Sequence, residues 1–483
     1  MNLKLRQKRF GHLKVLFAVC LCFASFNAVA QLEFEIKNKV SDFLTFMPIE
    51  SASVYVKNST VGTISNSDGK FVLIVPGKHA KDTLIVSSIG YKSFKIPVEE
   101  FDNSMEIFLE EDVASLDEVV LIAETRPKTG NDIMLRVVEE LEDNLPEYAY
   151  LQKGFVRHTE RNKKEYRWLI ESAITLYDSS YAAGAKKHLR INVDETRKSY
   201  DLRDVDSLYT YTAYLRYARN IRLKSRTLFR DTIETASLVK AIKWNDRRVN
   251  GLDNLFKGRL NMVRNANTSK ALFGKDILAK HQFDLDTVLV ENERKVYKIR
   301  ISKGSDFVGL GTPNIYNEGF EAKGWVYIDW DTYAVKRIEY ELFAASEQQK
   351  RRSKSLYDTL LNHRLIMTFK EYQGKMYPSY IYYETPKLVN AGDRSSDRDR
   401  EDYVPKYDKD EQFYYTIQEI LFTEIIQDPE IVKGTLAQDW SDDIFSPQPY
   451  NEEFWRSYNV LLESEEEEKL IQDLTKRATL FKQ

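Results

Sequence analysis

Cysteine is almost missing from these 483 residues, with only Cys20 and Cys22 present. Both fall in residues 1–30, which read as a secretory signal peptide. Lys4, Arg6, Lys8, Arg9 and Lys14 come without an acid, and an apolar run spans Val15 to Phe26. Ala28-Val29-Ala30 then supplies the small-x-small pattern for cleavage before Gln31. Lipoprotein attachment through Cys20 or Cys22 competes with this reading. Neither cysteine follows a Leu-small-small triplet, however, and Phe17-Ala18-Val19 is the nearest. Removing the leader leaves no cysteine, which excludes structural disulfides, thiolate catalysis and cysteine-based zinc sites. It also removes five of the 71 Lys and Arg, leaving 66 against 74 Asp and Glu, a net charge near −8.

Other absences narrow the function. There is no basic excess to neutralise phosphates, so nucleic-acid binding is not expected. No stretch after the leader approaches the roughly 18 apolar residues of a membrane-spanning helix. The chain therefore reads as exported, in the periplasm or at the outer membrane. Apart from His12 in the leader, the histidines are His79, His158, His188, His281 and His363. None has the close spacing that presents two metal ligands on one face. No Gly-x-Ser-x-Gly elbow occurs, and the glycines at 304, 309 and 311 do not form a phosphate-binding loop. No catalytic, cofactor-binding or metal-binding residue is assigned, and no cofactor is expected.

What is present is β pattern and aromatic side chains. In residues 31–112, Ala52, Val54 and Val56 alternate with polar neighbours, as do Phe71, Leu73 and Val75, then Leu84 and Val86, then Met105, Ile107 and Leu109. Asn66-Ser67-Asp68-Gly69, Pro76-Gly77 and Ile89-Gly90 separate them as turns. About seven strands in this length make a small antiparallel sandwich. The Asn66–Gly69 string lacks the spaced oxygen ligands of a calcium loop and reads as a plain turn.

The ordered series Ser51-Ala52-Ser53-Val54-Tyr55-Val56, Gly62-Thr63, Asn66–Phe71, Ser87-Ser88-Ile89-Gly90-Tyr91 and Leu116–Val120 resembles the carboxypeptidase-D regulatory-like domain, a transthyretin-like β-sandwich. Asp68, Gly69, Gly90 and Tyr91 are its signature turns here. The resemblance implies an accessory module without catalytic residues. In exported proteins of Bacteroidota it often precedes the plug and barrel of starch-utilisation-type TonB-dependent transporters. The roughly 350 residues after residue 130 are too few for a plug and a 22-strand barrel at ~10 residues per strand.

Residues 113–150 read as a charged connector followed by a helix, capped by Asn131 and running to about Leu145 before Pro146. Residues 151–430 carry long strand candidates: Gly154–His158, Glu165–Leu176, Leu189–Val193, Gln282–Leu289, Lys295–Ile301, Gly324–Trp330, Val335–Leu342, Leu365–Glu371, Met376–Glu384 and Gln412–Ile426. Residues 203–262 read as more helical, and Asp393–Asp402 as a solvated loop. In residues 431–483 a loop, expected over Asp428–Gln448, leads to a helix pair from Asn451, with Phe454, Trp455 and Tyr458 as docking anchors. The expected fold is mainly β with some α: a small N-terminal antiparallel β-sandwich, then a larger domain with a curved antiparallel sheet and packed helices.

Trp325, Tyr327, Trp330 and Tyr340 form a candidate aromatic surface, although core packing outweighs that reading at any single position. The hairpin around Trp325–Ile338 also resembles one found in periplasmic lipoprotein carriers, whose half-barrel holds acyl chains. The first functional reading is a non-enzymatic cell-envelope protein that binds a protein partner or serves assembly. A lipid or acyl-chain carrier using a concave sheet is the alternative. A hydrolase with paired carboxylates, which no local spacing selects, is the third.

Overall fold

Period-two alternation in residues 33–109 produces strands β1 (Glu33–Asp42), β2 (Ser53–Val56), β3 (Gly62–Ile64), β4 (Lys70–Pro76), β5 (Thr83–Ser87), β6 (Phe94–Pro97) and β7 (Ile107–Leu109). They form a three-stranded sheet, β4-β1-β7, facing a four-stranded sheet, β3-β2-β5-β6. Pairing is antiparallel except between β1 and β7, which run parallel. Ile36, Val40, Val54, Phe71, Leu73, Val86, Ile107 and Leu109 fill the space between the sheets. The computed structural model describes residues 33–112, 126–161, 165–180, 189–200, 211, 214–219, 233–238, 240–241, 244, 277–304, 320–357, 359–391, 411–444, 449–462 and 464–475. Ala28, Ala30 and Gln31, the Leu116–Val120 segment, most of 203–262 and the Asp393–Asp402 loop lie outside those residues.

The larger domain is one ten-stranded antiparallel sheet. Its strands are β8 (Tyr150–Arg161), β9 (Tyr166–Asp178), β10 (Leu189–Tyr200), β11 (His281–Glu291), β12 (Arg294–Gly304), β13 (Phe320–Asp329), β14 (Val335–Ala344), β15 (Leu361–Tyr372), β16 (Lys375–Ala391) and β17 (Glu411–Ile426). The order is β10-β9-β8-β17-β16-β15-β14-β13-β12-β11, so the first and last strands of the domain, β8 and β17, pair inside the sheet. Alternation divides the sheet into two unlike faces. Val156, Ile174, Ile299, Val326, Ile338, Leu365, Ile381 and Ile420 belong to the core of one face. Their neighbours Arg157, Glu171, Trp325, Glu339, Arg364, Tyr380 and Glu419 therefore point to the other.

Helix α1 (Gly130–Asn144) covers the apolar face, burying Ile133, Met134, Val137 and Leu141 against it. Full burial of such side chains contributes roughly 1.5–3 kcal/mol each. Its N-cap corrects the expectation at Asn131. Thr129 is the cap, accepting a bond from the Asp132 amide at 3.1 Å. The Asn131 carboxamide oxygen instead accepts from the Phe283 amide at 2.9 Å, tying the helix start to β11. The helix stops where Leu145 turns extended, as a residue before proline must.

A second helix, α2 (Glu347–Tyr357), follows β14. The loop expected over Asp428–Gln448 is also corrected, because it begins with helix α3 (Pro429–Leu436). Asp428 caps it through the Glu430 and Ile431 amides, and Pro429 occupies its first turn, where a missing N–H costs nothing. Beyond it, Asn451 caps α4 (Glu452–Arg456), and α5 (Glu465–Thr475) follows.

Exposed sheet edges invite unwanted pairing. Loop groups meet the free backbone at several places. Asn459 accepts from the Ile74 amide of the edge strand β4 at 2.8 Å, Asn103 accepts from the Lys37 amide where β7 stops short along β1, and the Val193 amide of the edge strand β10 donates to the Ser441 carbonyl at 2.7 Å.

A charged sheet face under the sandwich

The sandwich is docked onto the polar face and one end of the large sheet by direct bonds. The Gly90 amide donates to the Val290 carbonyl at 2.9 Å, and the Val290 amide donates to Asp112 at 3.2 Å. Ser93 donates to the Asn292 side chain at 2.6 Å, which in turn donates to the Tyr55 hydroxyl at 3.2 Å. Lys370 on β15 donates its amine to the Thr60 carbonyl at 2.8 Å. Burial pushes that amine down to about 8.

The C-terminal segment straps the same junction. Asn459 and the Leu462 carbonyl bond the sandwich at Ile74 and Asn66. On the sheet side, the Tyr458 hydroxyl donates to the Gly154 carbonyl at 2.9 Å, and Trp455 packs edge-on against Phe155.

Beneath the strap lies a buried ion cluster. Arg157 and Arg197 each donate from Nε to one oxygen of Glu171, at 2.8 and 2.6 Å. Burial alone would raise the Glu171 carboxyl, yet the two guanidiniums outweigh it and hold the group below the usual carboxylate range. Glu419 is driven the other way. Burial raises it despite Arg157, and the Tyr380 hydroxyl donates to it at 2.7 Å. Two carboxyls on the strands that flank β8, on one surface, thus have opposite proton affinities.

Two pockets open on this face, with Glu339 in both linings. One, of about 390 Å³, lies at the junction between Asp42, Glu50, Tyr91 and Glu111 of the sandwich and Glu291, Lys336 and Arg337 of the sheet. Lys336 pairs with Glu291 at 2.8 Å and Arg337 with Glu339 at 2.6 Å. Burial and then the Asp42 carboxylate push Tyr91 up to about 12. The other pocket, of about 540 Å³, is lined by Arg300, Lys323, Trp325, Glu341 and Arg364 among others. Lys298 sits 4.2 Å above the Trp325 ring, and Arg364 pairs with Glu341 at 3.4 Å. Burial raises Glu341, with Arg364 opposing and Glu339 and Glu384 adding to it.

These linings are suited to recognising polar and charged groups. Among the described residues no group of three His, Cys, Asp or Glu converges to hold a metal ion. Nor is any helix among them long and apolar enough to cross a membrane.

The four aromatic residues singled out from the sequence do not share one surface. Trp325 and Tyr327 belong to the charged face and line the two pockets. Trp330 and Tyr340 are buried in the core of the apolar face, Trp330 stacked on Tyr297 at 4.4 Å. Alternation separates them, since Trp325, Tyr327 and Glu339 face the charged side and Val326 and Tyr340 the core, and Trp330 lies past the end of β13 in the turn. The signature turns lie at two places. Gly69 has φ +74°, and a Cβ there would come 2.3 Å from the Val40 carbonyl, so only glycine fits. Gly90 and Tyr91 form the contact with β11.

Sequence reasoning missed Arg157, Glu171, Arg197, Lys336 and Lys370. Each is a charge on the polar side of an alternating strand, a pattern that reads as solvent-facing until the sandwich or the C-terminal strap is known to cover it.

Residues 36–121 match the family model of the CarboxypepD_reg-like domain. Over 108 residues the chain is 37% identical to the TonB-dependent receptor SusC of Bacteroides thetaiotaomicron, a stretch covering 22% of this chain and 10% of the receptor. The match thus spans about a tenth of that relative's length. A LolA superfamily protein from Nitrosomonas europaea aligns at 10% identity over 66% of this chain and 99% of its own, with a TM-score of 0.21. A DUF1329 family protein from Desulfovibrio piger aligns at 7% identity over 62% and 95%, also at 0.21. Those scores are too low to establish a shared fold. The sandwich is a CarboxypepD_reg-like domain, here packed onto a ten-stranded sheet.

Proposed function

We propose that this is an exported, non-catalytic protein of the cell envelope that binds a protein partner. The observation that carries the reading is the CarboxypepD_reg-like domain, matched at 37% identity to a TonB-dependent receptor and hydrogen-bonded onto a charged sheet face. The pockets on that face are lined by paired Arg, Lys and Glu side chains, a setting for polar recognition. An acyl chain would need the apolar face, part of which α1 occupies with Ile133, Met134, Val137 and Leu141.

Fractionation of the native host, with N-terminal sequencing and in-cell chemical cross-linking, tests the reading. The expected result is recovery in the envelope fraction, a mature terminus at Gln31, and cross-links to one envelope protein. A cytoplasmic protein with an intact leader, or an envelope protein that yields no such cross-links, would overturn it.

A further inference from the structure

The turn after β1 places four large apolar side chains in solvent. Phe43, Leu44, Phe46 and Met47 are 55%, 72%, 68% and 65% exposed. Such a cluster at one tip is unusual on a soluble surface and marks an interaction site. The turn is held in shape rather than loose. The Asp42 carboxylate accepts from the Leu44 amide at 3.0 Å, the Thr45 amide at 2.7 Å and the Thr45 hydroxyl at 2.8 Å. Main-chain bonds join the Phe46 amide to the Asp42 carbonyl and the Asp42 amide to the Met47 carbonyl. Phe46 sits at φ +60°, a conformation costing a non-glycine residue about 1 kcal/mol. The Phe108 ring props up Phe46 and Phe43 edge-on, at 5.5 and 6.5 Å. A prearranged apolar tip loses little conformational freedom on binding.

Charge beside the tip selects the occupant. Met47 also lines the junction pocket, together with Glu50 and Glu111. The cations there, Lys336 and Arg337, are already paired with Glu291 and Glu339. Glu50 and Glu111 add two further acids to this lining, and of the two Glu50 lies within electrostatic reach of Arg364. The surface around the apolar tip is therefore negative, which disfavours an anionic membrane.

We propose that the Phe43–Met47 tip and the adjoining pocket bind a segment of a partner protein that combines apolar side chains with a Lys or Arg. The apolar residues cover the tip, and the cation enters the pocket toward Glu50 and Glu111. This rests on the partner-binding reading above and names the partner's chemistry.

Panning the full chain against a phage-displayed random peptide library tests it, using Leu44→Ser and Glu111→Gln as comparison proteins. The expected peptides pair apolar residues with Lys or Arg. Their affinity falls about tenfold for either variant, and salt weakens them less for Glu111→Gln. Thermal melts of both variants should match the parent, since both side chains are exposed. Peptides rich in Asp or Glu, or affinity indifferent to both substitutions, would overturn the proposal. So would Leu44-dependent binding to phosphatidylglycerol vesicles, which assigns the tip to a lipid surface, or Leu44-dependent dimerisation in sedimentation. A cellular partner whose cross-linking is unchanged by Leu44→Ser would refute the tip assignment alone and leave the envelope reading standing.

Discussion

Glu171 carries its charge deep inside the molecule, and Arg157 and Arg197 decide what that charge costs. Removing one partner of a buried pair typically costs about 3–5 kcal/mol. Glu171→Gln is expected to destabilise the fold by that order, measured by urea unfolding at neutral pH. The folded carboxyl lies below its unfolded value. Its contribution is therefore complete above the ordinary carboxylate range and lost as pH falls through the lower folded value. Glu419 has the opposite sign. Its folded value is raised, so ionising it at neutral pH opposes folding. Glu419→Gln, which keeps an oxygen for the Tyr380 hydroxyl, is expected to match or exceed the parent's stability at pH 7. That advantage should vanish in acid, where Glu419 is protonated in both states, and a pH series of melting temperatures reads both signs.

Whole elements were far more legible than pairs of residues. All ten strands of the large sheet stand where alternation placed them, because one face of each had to be apolar. Their ends extend further: β15 begins at Leu361 and β16 runs to Ala391, since hydrogen-bonded pairing continues past the last buried side chain. The helix at Pro429–Leu436 was overlooked although Asp428-Pro429 is a capping signal, because eight residues barely show a helical period. The ion cluster was not legible, because Arg157, Glu171 and Arg197 meet only through strand pairing. The same holds for Glu291 and Lys336, brought together from different strands. Helix α1 is part of the core, with Met134 fully buried. Met134→Ala should then cost about 2–5 kcal/mol, as for other buried methionines. A neutral result in thermal denaturation would mean that the helix is only loosely seated.

For the whole molecule, the sandwich, the sheet and the C-terminal strap share bonds across their junction, so they should unfold together. Lys370 reports on that junction. Its folded amine is pushed down to about 8, below its unfolded value, so charging it in place opposes folding below that pH. The penalty shrinks as pH rises from about 8 toward the unfolded lysine value. Relative to Lys370→Met, the parent should therefore gain stability between pH 7 and pH 10, by at most roughly 3 kcal/mol. Calorimetry should also give one transition for both proteins at pH 7, and separate melting of the sandwich would show that the junction is weak.

On the proposed function, the charged and apolar surface recognises a protein at the cell envelope. Native mass spectrometry of the protein gently extracted from envelopes of its own host tests this most directly. The account predicts a complex of fixed stoichiometry with another envelope protein. A monomer carrying only bound lipid would contradict it.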